Sequence, residues 1–138
     1  MRFLIAGFVG SLGALVTGTI IAIIMQPYVA PYFGEYVRTE QDGLVFPSLL
    51  AGYAVIGFAI SYIASKLSVE SMSLLQVLTI GAAIGLAVFL GDHLITAGWS
   101  YLPVGVMAVS GVLDSLSIVV AFWAVSVVYR WKKTGASK

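Results

Sequence analysis

Between Arg2 and Glu35 the chain carries no charged side chain, and its first apolar run spans residues 3–25. About 23 residues at ~1.5 Å each are enough to cross the ~30 Å hydrocarbon core of a bilayer. Three more stretches of this kind follow. The second lies between Asp42 and Lys66. The third runs from about Ser73 to Thr96, with Asp92 and His93 near its far end. The fourth runs from Pro103 to Tyr129 and is interrupted by Asp114 alone. Each is about twice as long as a spanning strand needs to be, and none alternates polar with apolar residues. Helices satisfy every backbone polar group internally, as hydrocarbon demands. The pattern predicts an all-α integral membrane bundle of four transmembrane helices at about 3–25, 46–65, 73–96 and 103–129. They form a single domain over 1–138, arranged as two antiparallel hairpins, with a short basic tail at 130–138.

Composition agrees with lipid as the solvent. The chain is 60% hydrophobic and 9% charged, with a mean hydropathy of +1.04. Soluble domains are about 25% charged, and a chain this short cannot bury so much apolar surface in its own core. There is no cysteine, which excludes disulfides, thiolate metal sites and cysteine nucleophiles together. A net charge of +1 gives no reason to expect nucleic acid as a partner.

Basic residues set the expected orientation. Arg2, Lys66, Arg130, Lys132, Lys133 and Lys138 fall on one side, whereas the other has Arg38 among Glu35, Glu40 and Asp42. Basic loops stay cytoplasmic, so both termini are expected there, in a bacterial inner membrane. The first run is too long for a secretory signal core, and no small-residue cleavage site follows it. Gln26 and Pro27 are expected to stop the first helix, and Pro47 suits the first turn of the second. Tyr28, Tyr32, Phe33 and Tyr36 then read as an interfacial segment, and Trp99, Tyr101, Tyr129 and Trp131 as belt residues.

Small residues recur at spacing four, which keeps them on one helix face. They are Gly10, Ala14 and Gly18 in helix one, Gly57 and Ser61 in helix two, and Gly81 and Gly85 in helix three. Such faces let two backbones approach closely, either within the bundle or between subunits.

Asp114 is the residue most able to carry chemistry. A carboxyl within a span costs about 2.5–3.5 kcal/mol on insertion, so it should face the bundle, a partner or a wet cavity. Ser110 and Ser117 lie at helical spacing from it. No lysine or arginine lies within a span, which leaves Tyr53, Ser61, Tyr62 or His93 as internal partners. Asp92 lies nearer water. Counted from Trp99, it differs from Asp114 by roughly eight residues, or ~12 Å in depth, too far for a carboxyl dyad. A lone histidine supplies one ligand where metal sites need three or four, so no metal or cofactor is expected. No catalytic set, Walker loop or zinc motif occurs.

The glycines Gly7, Gly10, Gly13 and Gly18, the run Arg38-Thr39-Glu40-Gln41-Asp42, residues 57–65 and 81–85, Asp92, and Leu113-Asp114 carry a resemblance over most of the chain. It resembles a loose group of small, uncharacterised bacterial membrane proteins with four helices, which implies a fold and no activity. The first helix lacks the membrane glutamate of small multidrug exporters.

Two functions are expected, in this order. The first is a non-catalytic packing or assembly module that pairs with itself or with another membrane protein through its small-residue faces. The second is a small oligomeric channel or transporter in which Asp114, with Asp92 and His93 as further candidates, binds a proton or cation. An enzyme built on His93 and Asp92 ranks last.

Overall fold

The computed structural model describes residues 1–34 and 42–131. Arg38, Glu35, Tyr36, Glu40 and the tail residues Lys132, Lys133 and Lys138 lie outside the described residues. The described chain is helical: α1 (Arg2–Phe33), α2 (Phe46–Lys66), α3 (Leu74–Gly85), a π turn (Leu86–Leu90), α4 (Gly91–Trp99) and α5 (Val104–Trp131). The π turn joins α3 and α4 into one rod. Four helices are therefore long and apolar enough to cross a membrane, Arg2–Phe33, Phe46–Lys66, Leu74–Trp99 and Val104–Trp131. A left-handed Ser68 and a 3₁₀ turn at Val69–Ser71 connect α2 to α3. Ser73 and Gln76 form a capping box that starts α3.

The first helix departs from expectation. It does not stop at Gln26 and Pro27 but continues through Pro27 and Pro31 to Phe33. Tyr28, Tyr32 and Phe33 are thus a helical extension, not an interfacial loop. Each proline removes one backbone bond, freeing the carbonyls of Ile23 and Pro27. At ~1.5 Å per residue these lie more than ~30 Å along the helix from Arg2. Breaking the helix there would free several carbonyls at once, and continuing it frees fewer.

Helix α5 is the centre of the bundle and packs against α1, α2 and α3. The contacts form ladders. Along α1 and α2, Gly7 meets Phe58, Gly10 meets Gly57 and Gly18 meets Tyr53, so the numbers run in opposite senses. Along α1 and α5, Gly10 meets Val125 and Gly13 meets Val120. Along the third rod and α5, Gly81 meets Val119, Gly85 meets Ser115 and Gly111 meets Leu90. The small-residue faces read from the sequence are therefore buried within the chain itself. Gly10, Ala14 and Gly18 are buried in α1, Gly57 and Ser61 in α2, and Gly81 and Gly85 in α3.

The interior is small and weakly polar, and the surface is large and apolar. Ser61, Ser110, Ser115, Ser117 and Ser126 are buried, whereas Leu4, Phe8, Val16, Ile23, Val55, Leu75 and Ile95 are exposed. Water-soluble monomers rarely expose apolar patches beyond a few hundred Å². The buried serines of α5 return their hydroxyls to their own helix, Ser115 to the Gly111 carbonyl and Ser126 to the Trp123 carbonyl, both at 2.7 Å.

The core sits at one end. Ala6, Ile60, Ala64, Val69, Val77, Ile118, Phe122, Val125 and Tyr129 cluster near the chain termini. Ser61 Oγ donates to the Phe3 carbonyl at 2.9 Å, and Tyr129 donates to the Ser61 carbonyl at 3.3 Å. Arg130 donates to the Met72 carbonyl at 2.8 Å. Together these bonds tie α1, α2, α5 and the α2–α3 connection. The opposite end is open: no residue of α2 before Gly57 is buried.

A Cβ on Gly57 would strike Ser11 and the backbone of α1, whereas one on Gly52 meets nothing within 4 Å. Gly57→Ala should therefore cost about 1–3 kcal/mol, and Gly52→Ala should be neutral or gain up to ~1 kcal/mol from helix propensity. Unfolding in mixed lipid–detergent micelles checks both.

Candidate functional site

Asp114 lies in the open half of the bundle. Ten residues, about 15 Å, separate it from the start of α5 at Val104, and the longer part of that helix leads on to Trp131. Its carboxylate meets one imidazole: His93 Nε2 lies 3.3 Å from Asp114 Oδ2. Ser110 Oγ, one turn earlier, donates to the same Oδ2 at 3.4 Å. On the far side of the ring, His93 Nδ1 lies 2.7 Å from the Phe89 carbonyl oxygen. Ser117 donates to the Asp114 backbone carbonyl at 2.6 Å and so steadies the helix rather than the carboxylate.

Two features of the fold create the pair. The first is the π turn, in which the Gly91 N–H reaches back to the Leu86 carbonyl. Val77, Gly81 and Gly85 set the face of the rod that meets α5. Continued as an ideal helix, that face would present Asp92 and carry His93 about 100° past it. The extra residue of the π turn rotates everything beyond it back by about one such step. His93 then faces α5, while Asp92 is exposed. The second feature is Gly111. A Cβ there would lie 2.8 Å from Leu90 Cα and 3.1 Å from both His93 Cβ and the Phe89 carbonyl. Its missing side chain lets the rod settle against α5 one turn from Asp114.

The depth count from Trp99 overstated the separation of the two helices' polar groups. The turn uses residues 100–103 before α5 begins at Val104. Counted from the middle of that turn, His93 and Asp114 differ by about four residues, or ~6 Å, which two side chains span.

Of the partners expected for Asp114, His93 and Ser110 are in place. Ser61 is engaged with Phe3 and Tyr129 at the other end. Tyr62 is exposed, and its ring lies beneath Lys66 with the ammonium 5.4 Å from the centroid. Three contributors escaped sequence reasoning. Gly111 forms a small pair with Ser115 at spacing four, a signal that was present in helix four. Gln26, read as a stop, lines the site. The π turn left no mark on composition.

The pair is not sealed. The His93 and Asp114 side chains keep 17% and 25% of their surface exposed. A cavity of about 250 Å³ lies between α1 and α5, lined by Ala22, Met25, Gln26, Phe33, Ser110 and Asp114 among others. Phe33 also lines a larger aromatic bowl of about 540 Å³ with Tyr32, Trp99 and Tyr101. A carboxylate bonded to one imidazole and one hydroxyl, with Gln26 across a small cavity, can take up and release a small cation or a proton. Comparison with family models, curated proteins and solved structures gives no match.

Deleting Ala87, an exposed residue of the π turn, should restore a plain helix and swing His93 away from Asp114. A double-mutant cycle on His93→Ala and Asp114→Ala should give a coupling of about 0.6–1.7 kcal/mol in the intact chain. After the deletion the coupling should vanish.

Proposed function

We propose that this protein is a small proton- or cation-linked channel or transporter of the bacterial inner membrane, with Asp114 and His93 as its ion site. In this reading two antiparallel hairpins span the bilayer with both termini in the cytoplasm. The placement of Arg2, Lys66 and Arg130 at one end of the bundle supports that orientation.

One observation carries the reading: the carboxylate is paired, yet open to a cavity. A polar contact serving only to hold helices together gains by being closed off, because hydrocarbon makes every unsatisfied polar atom costly. Here the α5 face toward the third rod is tightly packed, Gly85 on Ser115 and Gly111 on Leu90, while the carboxylate also lines a cavity on the α1 side. Ionisable groups inside spans that meet a cavity commonly mark ion or proton paths.

The assembly reading rested on the small-residue faces. Those faces are occupied within the chain, so the support left to it is the outward apolar surface, together with the lack of a catalytic motif and the scarcity of soluble segments in the sequence.

Protein reconstituted into vesicles should carry a pH-dependent ion flux. Asp114→Asn should reduce it to background, and Asp92→Asn, at an exposed position, should leave it unchanged. Absence of flux in the unmodified protein under proton, sodium and potassium gradients, or full flux in Asp114→Asn, would overturn the proposal. A stable complex with a co-purifying membrane protein would then favour assembly.

A further inference from the structure

The geometry points to a proton as the ligand of this site, held singly between His93 Nε2 and Asp114 Oδ2 and kept there by the Phe89 carbonyl. This inference rests on the reading of Asp114 and His93 as the ion site and narrows its ligand class.

The two nitrogens of the ring decide the matter. Nδ1 lies 2.7 Å from the Phe89 carbonyl oxygen, and a carbonyl only accepts. Nδ1 must therefore carry a hydrogen. Rotating the ring by half a turn would place carbons against both oxygens, so the orientation is fixed by its partners. With Nδ1 as donor, Nε2 of a neutral imidazole has only a lone pair. It lies 3.3 Å from Oδ2, which also offers lone pairs when the carboxyl is ionised. Two acceptors at that distance repel, and one proton between them removes the conflict. It resides on Oδ2, giving imidazole and carboxylic acid, or on Nε2, giving imidazolium and carboxylate. Both forms have no net charge, which suits a low-dielectric interior. Losing the proton leaves one negative charge on the pair.

Among the described residues the surroundings do not supply another counter-charge. Facing the pair are Gln26 across the cavity from α1 and Ser110 from α5. Neither is a cation. Asp92, on the same helix as His93, is turned outward. Among the described residues no group of three or more histidine, cysteine, aspartate or glutamate side chains converges to hold a metal. Ser110 and His93 both meet Oδ2, so of this carboxylate Oδ1 is left to a hard cation, which takes six or more oxygen ligands. The proton exchanges on the side where the carboxylate meets the Gln26-lined cavity.

The sequence contains a single histidine, so its ring nitrogens give one unambiguous set of ¹⁵N resonances in the full-length protein in lipid nanodiscs. The expected result is a protonated Nδ1 at every pH and one titration, seen at Nε2. Asp114→Asn should abolish that titration while Nδ1 stays protonated, because the asparagine amide donates permanently to Nε2. Sodium, potassium or calcium should leave the resonances in place. The inference is overturned if Nδ1 is the unprotonated nitrogen, if Asp114→Asn titrates as the parent does, or if a metal ion shifts the signals. The first and last of these need only the unmodified protein, so a variant that fails to fold does not remove the test. Flux in vesicles is a separate readout. Proton binding without flux would leave the inference standing and end the transport reading, whereas flux with the opposite tautomer would do the reverse.

Discussion

Everything in this bundle depends on how closely α5 approaches its neighbours. Lipid is as apolar as the side chains it would replace, so helices gain little from burying leucine against leucine. They gain from close backbone contact, and that requires small residues. Gly57 against Ser11 and the Gly7 carbonyl, Gly85 against Ser115 and Gly111 against Leu90 supply it, each leaving no room for a Cβ. Many large side chains are turned outward as a consequence, while Phe122, Ile60, Ile118 and Tyr129 fill the core. The same economy explains the serines of α5: they are small enough for the interface, and their hydroxyls find carbonyls within the helix.

This packing is uneven, and the unevenness makes a site possible. At the end bearing the termini, Phe122, Val125 and Ala64 close the core, with Ser61, Tyr129 and Arg130 stitching three elements across it. Toward the other end α2 buries no residue before Gly57, and cavities open beside Met25, Tyr53 and Phe33. Asp114 sits where the closed half gives way to the open half. Further toward the termini it would be walled in by α1 and α3. Nearer Val104 it would meet headgroups and cease to be distinctive.

The helical architecture was legible because it depends on a coarse signal, the spacing of charges. Asp42 to Lys66 bounds one rod, and Pro103 with Arg130 bounds another. The close-packing faces were legible too, since spacing four is a property of the chain alone. What they pack against was not, because the same stripe serves an internal or an external partner. The end of α1 differs from expectation because each proline removes a single backbone bond, whereas ending the helix would leave several carbonyls unpaired at once. The pairing of His93 with Asp114 was named as one of several options and could not be singled out. It depends on a π turn of apolar residues, Leu86–Leu90, whose sequence carries nothing to distinguish it from ordinary helix.

The π turn also bears on why the pair is built as it is. One residue inserted into a helix leaves the backbone ladder locally imperfect, and Val77, Gly81 and Gly85 seat the rod on α5 before it. Its consequence is to exchange Asp92 for His93 at the interface. With a plain helix, Asp92 would stand near Asp114, and two carboxylates would meet beside a small cavity with no cation to balance them. With the insertion, an acid meets a base whose second nitrogen is held by the carbonyl of Phe89, inside the inserted turn itself. The irregularity therefore does two things with one residue: it chooses which side chain faces α5, and its carbonyl fixes which ring nitrogen does. The helix defect supplies both the partner and its tautomer, and the same rotation turns Ala97, one turn beyond His93, into the buried face of the rod.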